Sequence, residues 1–197
     1  MKGLVVFASG SGTNFQSLID AIAKRELSAK IHGLITDKPD IGSIERAKKH
    51  GIPHKVINPD SFKNESQFAD ALLEQLSTWD TDLIVLAGYL KKIPLKVIEN
   101  YKNRILNIHP SLLPKYGGKG FYGLNVHKAV IENKESVSGC TVHLVNEEFD
   151  KGPILAQTEV SVQPDDSPKS LADRILKQEH KLLPATVEKY LNRLQNI

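Results

Sequence analysis

Cysteine occurs once in 197 residues, at Cys140. A lone thiol excludes an intramolecular disulfide framework and offers no Cys/His zinc spacing, so core packing is its expected role and a reducing, cytoplasmic setting fits. Long apolar runs are missing as well. No stretch approaches the roughly eighteen residues that a membrane span requires. The apolar start Leu4-Val5-Val6-Phe7-Ala8 stops at Ser9-Gly10-Ser11-Gly12, which reads as a buried first strand rather than a signal sequence. Charge of one sign is not in excess either: 26 Lys and Arg stand against 23 Asp and Glu, for a net charge of +3, and neither half carries a dense basic run. Neither a membrane nor a nucleic acid is therefore an expected partner. The histidines His32, His50, His54, His127, His143 and His180 are scattered without metal-ligand spacing, so no metal is expected. Internal repeats, Pro/Ser-rich linkers and a Gly-x-Ser-x-Gly nucleophile elbow are absent too.

What is there is an ordinary globular composition, 40% hydrophobic and 25% charged. Residues 1–197 are expected to fold as a single domain, long enough to bury a real core. Apolar periodicity predicts strands over 4–8, 31–36, 55–57, 82–88 and 104–108, alternating with helices over 13–24, 44–50 and 67–76. The run Asp82-Leu83-Ile84-Val85-Leu86-Ala87-Gly88 is continuous and apolar, as in a strand buried on both faces of a parallel sheet. A helix over 124–132 follows a glycine-rich loop, then a strand pair over 139–145 and 154–162, then a long helix over 168–194. This order predicts an α/β fold: a mostly parallel twisted sheet with helices on both faces and a C-terminal strand pair and long helix. Ligands bind such sheets beyond the carboxyl ends of the strands.

Two motifs fall at such ends. The turn Ser9-Gly10-Ser11-Gly12-Thr13-Asn14 joins the first strand to the first helix, whose opening amides are free donors at the positive end of the helix dipole. A phosphate is a natural guest. A plain turn, with Thr13 or Ser11 as helix cap, is the other reading. Phe15 stands where a dinucleotide fingerprint has its third glycine, and the Gly-Lys-Ser/Thr end of a P-loop is missing. The second motif is Asn107-Ile108-His109-Pro110-Ser111-Leu112-Leu113-Pro114. Side chains two apart on a strand share a face, and Pro110 biases His109 toward extended backbone, so Asn107 and His109 can grip one oxygen together. Asp150, in Phe149-Asp150-Lys151-Gly152-Pro153, completes the set if the chain folds it back. An amide, a titratable imidazole and a carboxylate suit acyl or formyl transfer through a tetrahedral oxyanion.

These stretches, with Leu86-Ala87-Gly88, Gly139-Cys140-Thr141-Val142-His143 and Gln178-Glu179-His180, resemble in order the phosphoribosylglycinamide formyltransferases of the folate-dependent formyltransferase family. The resemblance spans nearly the whole chain. It implies a Rossmann-like formyltransferase fold and transfer of the formyl group of 10-formyltetrahydrofolate, as co-substrate, to the amine of glycinamide ribonucleotide in purine biosynthesis. It further implies that Gly12, Thr13 and Asn14 hold the ribonucleotide phosphate, Glu179 the ribose hydroxyls, and Gly88 and Pro110 the glycinamide. Leu90, Lys91, Lys92 and Ile93 would line the folate site together with Asn146, Glu147, Glu148, Phe149 and Asp150, the formyl group facing Asn107. Asn107 and a protonated His109 would stabilise the oxyanion. Asp150 would raise the His109 pKa and assist proton transfer.

The chain also departs from that family. Where members carry a folate-contacting arginine it reads Phe62-Lys63-Asn64-Glu65, so either Lys63 substitutes or the contact is lost. Leu176 stands where relatives have a glutamine near the phosphate, and it cannot donate. The loop 116–123 is longer and richer in glycine, so either Lys119 supplies the lost positive charge or the loop is simply mobile. The resemblance further suggests a cis Leu113-Pro114 bond. Monomer and homodimer are both compatible with the sequence. Two rival readings are a formyltransferase with another amine or water as acceptor, and a non-enzymatic phosphometabolite-binding module on the same scaffold.

Overall fold

In a computed structural model of the chain, which describes residues 1–194, seven strands form one sheet. The elements are β1 (Lys2–Ala8), α1 (Thr13–Ala23), β2 (Ala29–Thr36), α2 (Gly42–Lys49), β3 (His54–Val56), α3 (Glu65–Thr78) and β4 (Leu83–Leu86). They continue with α4 (Leu95–Asn100), β5 (Ile105–His109), α5 (Leu124–Glu132), β6 (Val137–Leu144), β7 (Ile154–Ser161) and α6 (Pro168–Leu194). The strand order is β3-β2-β1-β4-β5-β6-β7. The first five are parallel; β6 runs antiparallel to both β5 and β7.

The continuous apolar runs explain why the sheet is covered on both sides. Along β1, Leu4, Val6 and Ala8 pack into one core with Phe15 and Leu18 of α1, Ala47 of α2, Val130 of α5 and Ile175 and Leu183 of α6. The alternate residues Val5 and Phe7 enter a second core with Phe68, Leu72 and Leu76 of α3 and Val97 of α4. Burying a leucine or phenylalanine side chain is worth about 1.5–3 kcal/mol, so a strand apolar at every position is stable only between two helix layers. The predicted α/β architecture and the late strand pair are both present.

The differences from expectation lie at ends and in short elements. The predicted strand 82–88 is only Leu83–Leu86. Asp82 instead ties down the strand's entry, accepting from Gly3 N at 2.7 Å and from Lys2 Nζ at 2.9 Å, and Gly88 turns the exit with φ +76°. Helix α3 begins earlier than its apolar period because Asn64 caps it, accepting from Gln67 N at 3.0 Å. Such a cap is worth about 1 kcal/mol. Helix α4 was not predicted: with six residues and Val97 alone buried, it has no period to detect. Helix α6 runs through Pro184, which cannot supply the amide that would meet the His180 carbonyl.

A candidate active site at the carboxyl ends of the strands

A cavity of about 900 Å³ opens beyond the carboxyl ends of β4 and β5 and reaches the start of α1 on one side and the β6–β7 loop on the other. Its floor follows from the strand register. Antiparallel pairing of β5 with β6 sets Asn107 opposite His143 and His109 opposite Thr141, so two alternations of polar side chains meet on one face. The β6–β7 loop then brings Asp150 over this face. Its closure depends on Gly152, where a Cβ would stand 1.7 Å from the Leu144 carbonyl oxygen. Asp150 itself takes the left-handed conformation, φ 56°.

Asp150 is the hub, with its side chain 12% exposed. Oδ1 accepts from Asn107 Nδ2 at 3.3 Å and lies 3.5 Å from His143 Nε2. Oδ2 accepts from Gly118 N at 2.9 Å and lies 3.5 Å from His109 Nδ1. The other imidazole nitrogens are also fixed. His109 Nε2 donates to the Tyr116 carbonyl at 2.8 Å, and His143 Nδ1 donates to the Leu144 carbonyl at 2.8 Å. In the neutral ring, His143 Nε2 is then left to accept from Asn107 Nδ2, 3.0 Å away. Both Asn107 amide protons are therefore engaged, and an incoming carbonyl oxygen must take over one of them.

Burial lowers the His109 pKa; Asp150 pulls it up, as expected, and the Tyr116 carbonyl helps, but burial outweighs both and the net shift is downward. The Asp150 carboxyl is pushed up by burial. His143, His109 and the Gly118 amide more than offset this, and the acid is held below the usual carboxylate range. A further histidine, His127 on α5, lines the same cavity; burial and the neighbouring His109 push it down to about 4, and its Nδ1 is buried without a partner.

At the α1 end, Thr13 and Asn14 line the cavity together with Ser11, whereas Gly12 does not. Gly12 is the N-cap, at φ 71°, and its α-carbon face packs so closely on Ser43 that a Cβ would lie 2.7 Å from that residue's Cβ. Gly12, not Ser11 or Thr13, is the N-cap and no side-chain cap hydrogen bond is made, so the opening amides are not taken by a capping side chain. Asn14 Nδ2 donates to Glu179 Oε2 at 2.6 Å. Burial raises the Glu179 pKa against that hydrogen bond.

Gly88, Pro110 and Glu179 line the middle of the cavity; Leu90, Lys91, Lys92 and Ile93 form one wall, and Asn146, Glu147, Glu148 and Phe149 another. Lys91 also reaches Asp60, Nζ to Oδ2 at 3.3 Å. Of the departures, Leu176 and Lys119 line the cavity and Lys63 does not. The Leu113-Pro114 bond is cis.

Residues that sequence reasoning missed are His143, Thr141, Tyr116 and His127. His143 and Thr141 carry a period-two signal equal to that of Asn107 and His109, but it acquires meaning only through the β5–β6 register. Thr141 Oγ1 donates to the Ser111 carbonyl at 2.6 Å and accepts from Leu113 N at 3.1 Å and Gln157 Nε2 at 2.9 Å, fastening the turn after His109. Among the described residues no group of three or more His, Cys, Asp or Glu could hold a metal ion, and no helix is long and apolar enough to cross a membrane.

Comparison with known proteins gives the family. Residues 2–187 match the formyl transferase family model. The chain is 44% identical to the chloroplastic phosphoribosylglycinamide formyltransferase of Arabidopsis thaliana, over 92% of the chain and 62% of the relative. It is 37% identical to the phosphoribosylglycinamide formyltransferase of Bacillus subtilis, over 97% and 95%. It thus spans about three fifths of the length of the plant relatives, from Arabidopsis thaliana and Vigna unguiculata, and nearly all of the Bacillus one. The crystal structure of phosphoribosylglycinamide formyltransferase from Bacillus halodurans superposes with a TM-score of 0.93 at 36% identity, covering 100% of this chain and 98% of that one. The match to the family model over nearly all of its length and these full-length likenesses agree with the sheet order and the cavity described above: the chain belongs to the formyl transferase family.

Proposed function

We propose that the chain transfers the formyl group of 10-formyltetrahydrofolate to the amine of 5'-phosphoribosylglycinamide, as a step of purine biosynthesis. The observation that carries this reading is the meeting of Asn107, His109 and His143 at Asp150, in one cavity with the uncapped start of α1 and with Glu179. The α1 amides suit a phosphate, and Glu179, turned toward the cavity by Asn14, suits ribose hydroxyls. The apolar side chains of Leu90 and Ile93 on one wall and of Phe149 on the other suit a flat folate ring, with Lys91, Lys92 and Lys119 available to its carboxylates. Residues 1–197 act in this reading as one domain, on small molecules, with no nucleic acid and no metal. A cytoplasmic setting is supported by the single, buried Cys140.

In the reaction the substrate amine attacks the formyl carbon, a C–N bond forms and the carbonyl π electrons move to oxygen. Asn107 Nδ2 turns one proton to that oxyanion. His109 can add a second only from Nδ1, because Nε2 is committed to the Tyr116 carbonyl. That donor exists in the imidazolium alone, whose formation becomes favourable as negative charge develops beside it. Asp150, near both groups, relays the proton that the amine loses to N10 of the folate, and the bond from the formyl carbon to N10 breaks. The products are the formylamide and tetrahydrofolate.

The test follows the absorbance of 10-formyltetrahydrofolate with purified protein, with and without the ribonucleotide. Turnover that requires the ribonucleotide is expected. Turnover without it would replace the amine by water, and none in either case would leave another amine as acceptor or a binding module.

A further inference from the structure

Glu135 stands just beyond α5 and does not line the cavity. Its carboxylate accepts from Tyr116 Oη at 2.9 Å and from Lys115 Nζ at 2.9 and 3.1 Å. These two neighbours follow the cis Leu113-Pro114 bond, and Tyr116 has φ 56°, a region that side-chain-bearing residues adopt only when their surroundings hold them there. The hold is visible. The Tyr116 ring meets Phe121 edge-on at 5.9 Å, and Ser111 Oγ donates to the Lys115 carbonyl at 2.7 Å. So held, the Tyr116 carbonyl points inward and accepts from His109 Nε2 at 2.8 Å.

We propose that Glu135 is a positioning residue for formyl transfer. By gripping the Tyr116 hydroxyl and the Lys115 ammonium, it fixes the Tyr116 carbonyl on His109 Nε2 and so reserves Nδ1, beside Asp150, as the nitrogen that exchanges a proton. The inference rests on the assignment of His109 as oxyanion donor. A carbonyl oxygen can only accept, so its partner Nε2 carries hydrogen in both protonation states, and the titrating proton is confined to Nδ1. Without the grip the imidazole is free to move its single proton to Nδ1 or to rotate. The charged groups that face His109 are Asp150 from the β6–β7 loop, with His143 on β6 and His127 on α5 as neighbouring titratable rings. Among these contacts the Tyr116 carbonyl favours the imidazolium, so its loss moves the His109 titration to lower pH.

Tyr116→Phe, which deletes one oxygen, and Glu135→Ala are compared with the parent chain in the formyl-transfer assay across pH, and the His109 ring nitrogens are followed by ¹⁵N NMR with a His109→Gln protein for assignment. Each variant is expected to lose roughly ten- to a hundredfold in kcat with KM for both substrates unchanged, the double variant losing no more than either alone. Glu135→Gln, which still accepts from the Tyr116 hydroxyl, recovers most of the rate. The neutral His109 signal is expected to pass from an Nε2–H tautomer to a mixture. Unchanged kcat, or a lower kcat with the His109 tautomer and pH profile unmoved, would reduce Glu135 to a structural contact and overturn the proposal. Full turnover by His109→Gln itself would instead remove the catalytic reading of His109, an outcome that is separate from the behaviour of Glu135.

Discussion

Asn14 and Glu179, 165 residues apart, are joined by a 2.6 Å hydrogen bond from Nδ2 to Oε2 that ties the start of α1 to the middle of α6. The carboxyl is buried and its pKa raised by that burial, with Asn14 opposing.

A raised carboxyl means that the folded chain binds this proton more tightly than the unfolded one. Its contribution to stability is therefore complete below the unfolded value of about 4.3 and is lost as pH rises through the folded value. Glu179→Gln keeps an acceptor for Asn14 without the charge. The variant is expected to be the more stable protein at neutral pH, with the gap closing toward pH 4, in urea unfolding at several pH values. Parallel curves for parent and variant would dispose of the burial argument. The same substitution should raise KM for the ribonucleotide and leave KM for the folate alone.

In the proposed reaction Asn107→Ala and His109→Ala each remove one oxyanion donor, a loss worth about 2.7–4 kcal/mol of barrier, and kcat is expected to fall roughly 10²–10³-fold in folded protein. His143→Ala leaves Asn107 in place but frees its amide, so a smaller fall is expected, together with strong non-additivity in the Asn107→Ala/His143→Ala pair. Single-turnover rates decide this. Independent effects of the two substitutions would mean that His143 does not act through Asn107.

Thr141→Val keeps shape and volume but deletes the hydroxyl that serves the Ser111 carbonyl, Leu113 N and Gln157 Nε2. Gln157 Nε2 keeps the Leu113 carbonyl at 3.0 Å, but leaving the Leu113 amide and the Ser111 carbonyl without this partner costs about 1–3 kcal/mol each, so the midpoint of urea denaturation should drop clearly while the slope stays constant. A variant as stable as its parent would show that this network carries little of the stability.

The sequence made the fold legible where its pattern was redundant. Strands such as Leu4 to Phe7, apolar at each position, admit only a two-layered environment, and the loss of period at the glycine turns marked where the helices begin. The same pattern was silent about α4, which buries too little to leave a trace. In the site, Asn107, His109 and Asp150 are each ordinary strand-end or turn residues; they drew notice only as a set, and the structure brings them together. His143 escaped because its significance lies in a neighbour across the sheet, and Tyr116 because its backbone, not its side chain, meets His109. The pull of Asp150 on His109 was legible, but the larger opposing effect of burial was not. A sequence names the carboxylate that attracts a proton, but the burial that repels it is a property of the packed whole.

Gly152 gives the loop that bears Asp150 two ends of different tolerance. At the glycine any side chain would collide with the Leu144 carbonyl, so spacing from Asp150 to β7 cannot vary without moving the carboxylate. Glu147, Glu148 and Phe149 are exposed and face the cavity from the other end. Exchanges of these exposed side chains alter one wall of the cavity without meeting the constraint at Gly152. The loop thus separates what can be exchanged from what is anchored, and in the proposed reaction ligand preference can be retuned at three consecutive positions while the spacing behind Asp150 stays fixed.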